Sequence, residues 1–556
     1  MTARYALLAF ALLCQWMVFA SETEYKVIAS PGTDERMAVI VDGQAYPLEA
    51  KDEATTLLHT GKAPSADAYQ YARIDKNGDI IEKESPIRQG ASARNDFYNR
   101  SHNTYSVPAL ERTFPPAPII NRINTDELHP SDEIPTIQIL ADQGEIDNMH
   151  NNPRNRDIKV KAEMAYITLD SIQKFKKLKV ELAGKSSREQ PQLSYNLKFK
   201  KDGFFGFRRI KLRAIGATDP SYLRENLMFR VYQSMGIPTT QQSYVRLFIN
   251  DQPLGLFGLV EHFKDPWLSN EFGGGSESYK QGPLYQGTVV SDDPKLSADL
   301  SYYNEDTVYK GGQYAVKVKA AEGQTDTQPI EDFTKFIEDA PVSGKDAVKL
   351  WEERLDVDTF LRSMAVEVLF GFTDGFLFFA NNYYLYLDPE SNRFVFIPSD
   401  VNQSLGSSSY PVDKLLSGNY TDFPRMQDRK IVRKLLTVPE FRQKFHTIVQ
   451  TMVDDLFNTE TLYPVIDAIM TMIEEDVAWD EGLPRVSSLS NMGYGNSPHR
   501  DAETVTDFNH RMVEHFSLKQ AVDGPIQDHA SLVSVKEWIE KKSANTREFL
   551  ASENGY

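Results

Sequence analysis

Residues 367–406 read EVLFGFTDGFLFFANNYYLYLDPESNRFVFIPSDVNQSLG and contain the most informative pattern in the chain. Aromatic and aliphatic residues alternate over 383–387 and 394–398, and a polar turn lies between them. This pattern predicts a β-hairpin. Because a hairpin holds its two ends together, we expect Asp374, which precedes it, and Asp400, which follows it, to converge on one site.

Two converging aspartates follow the plan of a kinase catalytic centre. In such a centre one aspartate orients or deprotonates the attacking hydroxyl, and another holds Mg2+ on the phosphates. We therefore predict that Asp374 is the catalytic base and Asp400 a Mg2+ ligand. Asn381, Asn382 and Asn402 would add neutral oxygen ligands. From the residues alone, the alternative is that both aspartates belong to ordinary turns, since Asp-Gly and Pro-Ser-Asp are common turn sequences.

Several unrelated short motifs follow one another over residues 155–410. The hairpin stretch contains D-G, N-N-Y-Y-L-Y and F-x-F-I-P-x-D-x-N. The upstream motifs are Gly184-Lys-Ser-Ser-Arg188, Ser194-Tyr195, Lys211-Leu-Arg213, Asp219-Pro-Ser221, Leu223-Arg-Glu225, Val245-Arg-Leu-Phe-Ile-Asn250 and Gly255-Leu-Phe-Gly-Leu-Val-Glu261. In this order the chain resembles the CotH kinase family. These are atypical protein-kinase-like proteins named for a bacterial spore coat component and also found on the surface of mucoralean fungi.

The resemblance implies an atypical kinase-like bilobal domain that binds ATP and Mg2+. Its substrates would be Ser, Thr or Tyr residues of coat or surface proteins, or the chain itself. The implied nucleotide-binding residues are Gly184, Ser186, Ser187 and Arg188 in one turn, together with a cation from Lys198, Lys211 or Arg213. Arg213 is favoured because it matches the family's L-R motif, although each of these cations could instead form an edge-strand salt bridge. Glu261 would pair with that cation or, alternatively, cap a strand end.

Two positions depart from the family pattern. The family commonly has Trp-Asp-x-Asp where this chain has Ser399-Asp-Val-Asn402, so one carboxylate is missing and the metal site should be weaker. The family often has Lys before Ser-Tyr, where this chain has Gln192-Leu193. These departures favour an alternative function. The chain would then be a catalytically weak or inactive surface or adhesion protein of the invasin type, with a host-cell receptor as partner and the kinase fold as scaffold.

Composition indicates a folded, exported protein. The chain has 556 residues, of which 41% are hydrophobic and 25% charged, and a net charge of -18, which argues against nucleic acid as the main partner. Residues 1–20 have the pattern of a signal peptide and contain Cys14, the one cysteine. A membrane anchor is the alternative for this segment, but its apolar run is short, and no later stretch is long and apolar enough for a stable membrane span. We therefore expect a secreted or cell-surface protein, with glycosylation sequons at Asn99, Asn402 and Asn419.

The predicted fold class is α+β, in six segments. They are a signal peptide (1–20), a small β-sandwich (21–92), a linker (93–130), a kinase-like N-lobe with a mostly antiparallel sheet (131–263), an insertion (264–325) and a kinase-like C-lobe with a helical C-terminal region (326–556). The sandwich could be a spacer or a carbohydrate- or wall-binding module. His499-Arg-Asp501 matches the kinase H-R-D triplet, but the residues that should follow it are absent, so we predict that Gly493 to Asp501 form a surface loop.

Overall fold

The computed structural model describes residues 22–552 apart from 91–93, 185, 201–202, 306, 324–325 and 488–499. The predicted signal peptide lies outside the described residues. The chain divides into two compact units. The smaller unit includes the residues up to Asn103 and Leu169–Ser171, and the larger includes Thr104–Thr168 and the residues from Ile172 onwards.

The smaller unit is built from one sheet with its own apolar core. Its strands are β1 (Glu22–Ile28), β2 (Glu35–Val41), β3 (Gln44–Ala50), β4 (Leu58–Pro64), β5 (Ala68–Asp75), β6 (Ile80–Lys83), β7 (Arg88–Gln89) and β8 (Asp96–Phe97). The strand order is β6-β5-β2-β3-β4-β1-β8, and β7 pairs with β5. A sandwich is predicted here, but β3 pairs with both β2 and β4 and so joins the strands into one continuous sheet.

A closed barrel forms the first part of the larger unit. Its strands are β9 (Thr136–Ala141), β10 (Val160–Ile167), β11 (Ile172–Leu182), β12 (Tyr195–Lys198), β13 (Arg209–Ala214), β14 (Gln242–Ile249) and β15 (Gln252–Glu261). They close in the order β10-β11-β12-β13-β15-β14-β9, and the β9–β14 pair is parallel. The predicted antiparallel pairing is thus mostly confirmed, whereas closure of the sheet by a parallel pair is not predicted from the sequence.

A second sheet carries the predicted hairpin. Its strands are β16 (Leu284–Gly287), β17 (Tyr314–Val318), β18 (Tyr383–Leu387) and β19 (Phe394–Pro398), in the order β17-β16-β18-β19. The hairpin β18–β19 is confirmed with the predicted bounds. The segment 264–325 is predicted as an insertion, but it supplies β16 and β17, and β16 pairs directly with β18. It is therefore an integral part of this sheet.

Helices make up most of the remaining larger unit. They are α1 (Gln143–Asn151), α2 (Arg224–Ser234), α3 (Trp267–Phe272), α4 (Gln328–Asp339), α5 (Ala347–Glu352), α6 (Val357–Leu369), α7 (Phe376–Phe379), α8 (Val412–Leu415), α9 (Lys430–Thr437), α10 (Pro439–Thr451), α11 (Thr459–Glu481), α12 (Ala502–Arg511), α13 (Leu518–Asp523) and α14 (Val535–Ser552). The α+β class is confirmed. None of the described helices is both long and apolar enough to cross a membrane.

Buried ion pairs and hydrogen bonds attach α11 to the barrel. Arg246 on β14 donates two hydrogen bonds to Asp476, with N–O distances of 2.7 and 2.8 Å. Asp480, one turn further along α11, accepts from the backbone N–H of Leu256 at 3.2 Å and from the Tyr222 hydroxyl at 2.7 Å. Because both carboxylates are fully buried, each needs polar partners, which β14, β15 and Tyr222 supply. These contacts fix the barrel against the helices.

Candidate active site

A cavity of about 700 Å³ lies in the larger unit, between the outer face of β13 and the two ends of the hairpin. It contains most of the residues that the sequence predicts for the site. The predicted residues that line it are Gly184, Ser187, Lys211, Arg213, Asp374, Asn381, Asn382, Asp400 and Asn402. Ser186 begins a short 3-10 helix in the turn after β11, and its side chain lies outside the described part of the structure.

Asp374 lies in the short loop between α6 and α7. Glu367, in the last part of α6, accepts hydrogen bonds from the backbone N–H groups of Phe376 and Leu377 at 3.0 and 2.8 Å, which holds the loop closed. The Asn382 amide donates to Asp374 Oδ2 at 2.8 Å. Burial of the Asp374 carboxyl, together with the nearby charge of Asp400, raises its pKa to about 6.

Asp400 lies directly after β19 with a positive φ of 53°. Its Oδ1 is 2.6 Å from Nη1 of Arg213, and its side chain remains 44% exposed. Burial raises the pKa of the Asp400 carboxyl, but the charges of Arg213 and Lys211 outweigh burial and hold the pKa below its ordinary value. Asp400 is therefore ionised at neutral pH, with part of its carboxylate open to the cavity.

Arg213 connects the cavity to helix α2. Its Nε is 2.9 Å from Oε2 of Glu225, a buried residue in the first turn of α2. Lys211, two residues earlier on the same face of β13, also lines the cavity. Burial and the neighbouring Arg213 lower the pKa of the Lys211 ammonium, while Asp400 and Glu225 oppose this. Among the described residues, none forms an ion pair with Lys211, so its charge is available to a ligand.

The three asparagines differ in what their amide oxygens can offer. The Asn381 oxygen accepts a hydrogen bond from the Thr288 hydroxyl at 3.0 Å. Asn382 directs its amide nitrogen at Asp374, and Asn402 donates its amide nitrogen to Thr218 Oγ1 at 3.3 Å. The Asn382 and Asn402 oxygens are thus better placed as ligands than the Asn381 oxygen. Asn402 lies in the cavity wall, so the sequon there is a poor position for a glycan.

Glu261 does not pair with Arg213, contrary to the prediction. It lies opposite Ile210 on β13, whereas Lys211 and Arg213 project from the other face of that strand. Because successive side chains of a strand alternate between faces, Glu261 points to the interior side of the barrel. There it forms an ion pair with Arg122 and accepts from Trp267 Nε1 at 3.0 Å. Glu225 takes the predicted role instead.

Arg188 and Lys198 also lie outside the cavity wall. Arg188 is buried and donates to the backbone carbonyl groups of Gly184 at 3.1 Å and Pro153 at 3.2 Å, so its guanidinium closes the turn. Lys198 is exposed on the outer face of the barrel. Gln192, which stands where the family often has Lys, donates to Asp480 at 2.8 Å and does not face the cavity.

Several cavity residues are not predicted from the sequence. Arg500 lines the cavity and lies 4.9 Å from the Phe379 ring centroid, and its charge opposes the rise in the pKa of Asp374. The triplet 499–501 is predicted as part of a surface loop. Its match to the kinase H-R-D triplet is the one sequence feature that marks Arg500. His499 lies outside the described residues, and Asp501 caps α12 by accepting from Thr504 N at 2.9 Å.

The connection between β16 and β17 supplies the remaining acidic wall. Asp292, Asp293 and Asp299 line the cavity opposite β13. Asp299 accepts two hydrogen bonds from Ser301, at 2.9 and 3.0 Å. In the described part of the chain, no three His, Cys, Asp or Glu side chains gather as a metal-ligand group.

Comparison with known proteins identifies the family. The family model described as CotH kinase protein matches residues 180–486, more than half of the chain. This chain belongs to the CotH kinase family. Invasin CotH7 of Rhizopus delemar is 25% identical over 87% of this chain and 78% of its own length. Inner spore coat protein H of Bacillus subtilis is 25% identical over 55% of this chain and 79% of its own length.

The CotH family match covers the whole cavity apart from Arg500. It also includes the barrel strands from β12 onwards, the hairpin and the whole of α11. A further relative, spore coat protein homolog 1 of Rhizopus delemar, is 24% identical over 86% of the chain and 76% of its own length. The resemblance noted in the sequence motifs is thus confirmed at the level of the family.

Proposed function

We propose that this CotH-family chain is a secreted or cell-surface protein kinase that transfers the γ-phosphate of ATP to Ser, Thr or Tyr of coat or surface proteins, or to itself. The observation that carries the proposal is the position of Asp374 and Asp400. Both line one cavity, at the two ends of one hairpin, and they titrate differently. A site that contains one acid with a raised pKa and one with a lowered pKa can combine a general base with a cation ligand.

Asp374 would act as the base. With a pKa of about 6 it is largely ionised at neutral pH and can still accept a proton from a hydroxyl. The hydrogen bond from Asn382 and the loop closure by Glu367 hold the carboxylate in place. A preorganised base of this kind orients the acceptor hydroxyl towards the transferred phosphorus.

The residues around Asp400 fit Mg2+. The partly exposed carboxylate, with the amide oxygens of Asn402 and Asn382, forms an oxygen-only donor set, which is the kind that Mg2+ prefers. When bound, the ion would neutralise phosphate charge. Asp400 shares one oxygen with Arg213, and the neutral Asn402 replaces the family's second carboxylate. Both features favour weak binding, in which the phosphates of the nucleotide supply further ligands.

Cations of β13 would hold the nucleotide phosphates. Lys211 faces the cavity, and Arg213 is fixed by Glu225 in the way that the strand lysine of a kinase is fixed by a helical glutamate. Ser187, beside Gly184 in the turn after β11, lines the same wall. Glu225 therefore orients the phosphate-binding cation, although it does not itself line the cavity.

Phosphate transfer from γ-labelled ATP tests this proposal. The purified chain should label itself or an added Ser/Thr/Tyr protein in the presence of Mg2+, and labelling should be lost in Asp374→Ala and Asp400→Ala variants that still fold. The exposed Asp346 at the start of α5 offers a control, since Asp346→Ala removes the same charge outside the cavity. Equal labelling by all four proteins would refute the assignment.

A second candidate function is adhesion. The name of the relative Invasin CotH7 attributes invasion to that protein. In this chain the replacement of the family's second carboxylate by Asn402 favours weak catalysis, so the fold would serve as a scaffold that binds a host-cell receptor. Adhesion would be favoured over kinase activity by two results together. The wild-type chain would show no transferase activity, and receptor binding would persist in the Asp374→Ala, Asp400→Ala double variant.

A further inference from the structure

Four cations stand in a single row across four neighbouring strands of the barrel. Lys161 on β10 lies directly opposite Lys179 on β11, Lys179 lies opposite Lys198 on β12, and Lys198 lies opposite Arg209 on β13. The neighbouring residues Val160, Val180, Leu197 and Ile210 point into the barrel core. By strand alternation, the four cations therefore project from the outer face. We call these four residues the cation row.

The cation row is electrostatically unfavourable in the protein alone. Like charges directly opposite each other on adjacent strands destabilise a sheet. Among the residues that the structure describes, no carboxylate lies within ion-pair distance of any member of the row. Nearby cations do have such partners: Lys159 lies 3.9 Å from Glu181, and Arg208 lies 2.7 Å from Asp265. The row is thus distinguished by four cations that lie directly opposite one another without an ion-pair partner in the described part of the chain.

A fifth cation reinforces the row. Burial of the Lys264 ammonium, together with the charges of Arg209 and Lys198, lowers its pKa, and Glu181 only partly opposes this effect. Lys264 therefore lies close enough to the row to sense its positive potential. In a chain whose net charge is -18, this concentration of positive charge is a local exception. Such a patch attracts anions, and the acidic remainder of the surface repels long polyanions.

The row leads to the candidate active site. Lys211, which lines the cavity, is two residues beyond Arg209 on the same face of β13, a step of about 7 Å. Neighbouring strands are about 4.8 Å apart, so the row itself spans about 14 Å, or roughly four residues of an extended peptide. A short acidic segment on the row would thus lie beside the cavity mouth.

From this juxtaposition we propose that the cation row is a docking surface for an acidic segment of the protein substrate, next to the residue that is phosphorylated. The substrate role rests on the proposed kinase function, whereas binding of the acidic segment does not. The short row, its continuity with the cavity and the acidic remainder of the chain favour an acidic peptide over a nucleic acid or a long sulfated polysaccharide.

Binding of an oligoglutamate tests the surface without nucleotide. A fluorescein-labelled peptide of about eight glutamates, roughly twice the length of the row, should bind the full chain, with an affinity that falls as salt rises. The Lys161→Gln, Lys179→Gln variant should bind about tenfold more weakly, because it removes two of the four charges of the row. A matched control is Lys335→Gln, Lys349→Gln. It removes two lysines of helices α4 and α5, each of which forms an ion pair with an acidic residue four positions later.

Thermal unfolding of the same variant gives a second readout. Because the opposed lysines repel each other, Lys161→Gln, Lys179→Gln should unfold at the same temperature as the wild type or higher. Reduced peptide binding would then not reflect misfolding. The proposal is overturned if the variant binds oligoglutamate as tightly as the wild type, if the wild type does not bind it, or if an oligonucleotide or heparin binds more than about tenfold tighter.

Phosphorylation separates this proposal from the kinase proposal. In the Lys161→Gln, Lys179→Gln variant, a serine peptide with an acidic tail should be phosphorylated less efficiently, through a raised KM, and a serine peptide with a neutral tail should be unaffected. Equal loss for both peptides would overturn the docking role. If neither peptide is phosphorylated by the wild type while row-dependent binding persists, the kinase function fails and the anion-binding surface stands.

Discussion

Asp374 and Asp400 show how two acids in one cavity acquire different properties. Burial dominates at Asp374, whose pKa rises to about 6, whereas the cations of β13 dominate at Asp400, whose pKa falls. The difference follows from the side of the cavity that each acid occupies, because Arg213 is in contact with Asp400. At this scale the proposed roles of base and metal ligand can be tested separately.

Asp374→Asn should abolish most of the phosphate transfer. Loss of a positioned base costs typically about 10²- to 10⁴-fold in rate. Nucleotide binding and thermal stability should persist, since the asparagine keeps the size of the side chain and can still contact Asn382. Initial rates with labelled ATP measure the effect, with Asp346→Asn as the control for charge. A rate within about twofold of the wild type would exclude Asp374 as the base.

Stability should depend on pH through the same residue. The pKa of Asp374 is raised from 3.8 to about 6 in the folded chain. The contribution of this carboxyl to the free energy of unfolding is therefore fully present below pH 3.8 and is lost as the pH rises through about 6. The Asp374→Asn variant lacks this loss, so it should gain stability relative to the wild type from pH 4 to pH 7. Melting temperatures across this range measure the gain, and a constant difference between the two proteins would contradict it.

At the scale of elements, β13 carries the cavity cations and α2 orients them. The Arg213–Glu225 pair joins the two elements, and Glu225 is buried. Burial raises the pKa of the Glu225 carboxyl, and Arg213 is the main influence that opposes it. The strand and the helix thus depend on each other for charge compensation.

Arg213→Met should destabilise the chain more than the double variant Arg213→Met, Glu225→Met. The single change leaves a buried carboxylate without its cation, at a cost of about 3–5 kcal/mol in the free energy of unfolding. The double change replaces both charges with apolar groups and should recover most of that loss. Denaturant unfolding of the wild type, both single variants and the double variant gives the coupling energy; additive effects would refute the pairing.

The sequence predicts some elements well because their signals are local. The β18–β19 hairpin follows from alternation and a polar turn within one short stretch, and its bounds are as predicted. The choice of Glu225 over Glu261 as partner of Arg213 depends on which face of β15 is turned to the cavity, and strand register decides that. Register arises from the whole barrel, so the family motifs alone did not distinguish the two glutamates.

Long-range contacts determine the features of the fold and of the cavity that no local sequence pattern predicts. The parallel β9–β14 pair closes the barrel between strands far apart in the chain, and no local pattern announces it. Arg500 reaches the cavity from the far end of the sequence, where only a kinase-like triplet marks it. The convergence of Asp374 and Asp400 is predictable from the sequence, because a hairpin joins them. The position of Arg500 is not predictable, since only tertiary folding brings this residue to the cavity.

The two compact units should unfold in separate transitions, because each has its own apolar core. Arg246→Met breaks the buried pair with Asp476 in the larger unit, so it should lower the temperature of only one transition, with a loss of about 3–5 kcal/mol. Val39→Ala, in the core of the smaller unit, should shift only the other transition. Calorimetry distinguishes them, and a single transition shifted by both variants would contradict the division.

The binding of Mg-ATP by the cavity can be measured directly. Calorimetric titration of ATP into the full chain, with Mg2+ and with EDTA, should show binding that requires Mg2+ and is lost or greatly weakened in Asp400→Asn, while Asp346→Asn binds like the wild type. That result would place Mg-ATP in the cavity between β13 and the hairpin. If ATP at millimolar concentration does not bind, or binds equally well without Mg2+ and in Asp400→Asn, the kinase account is wrong.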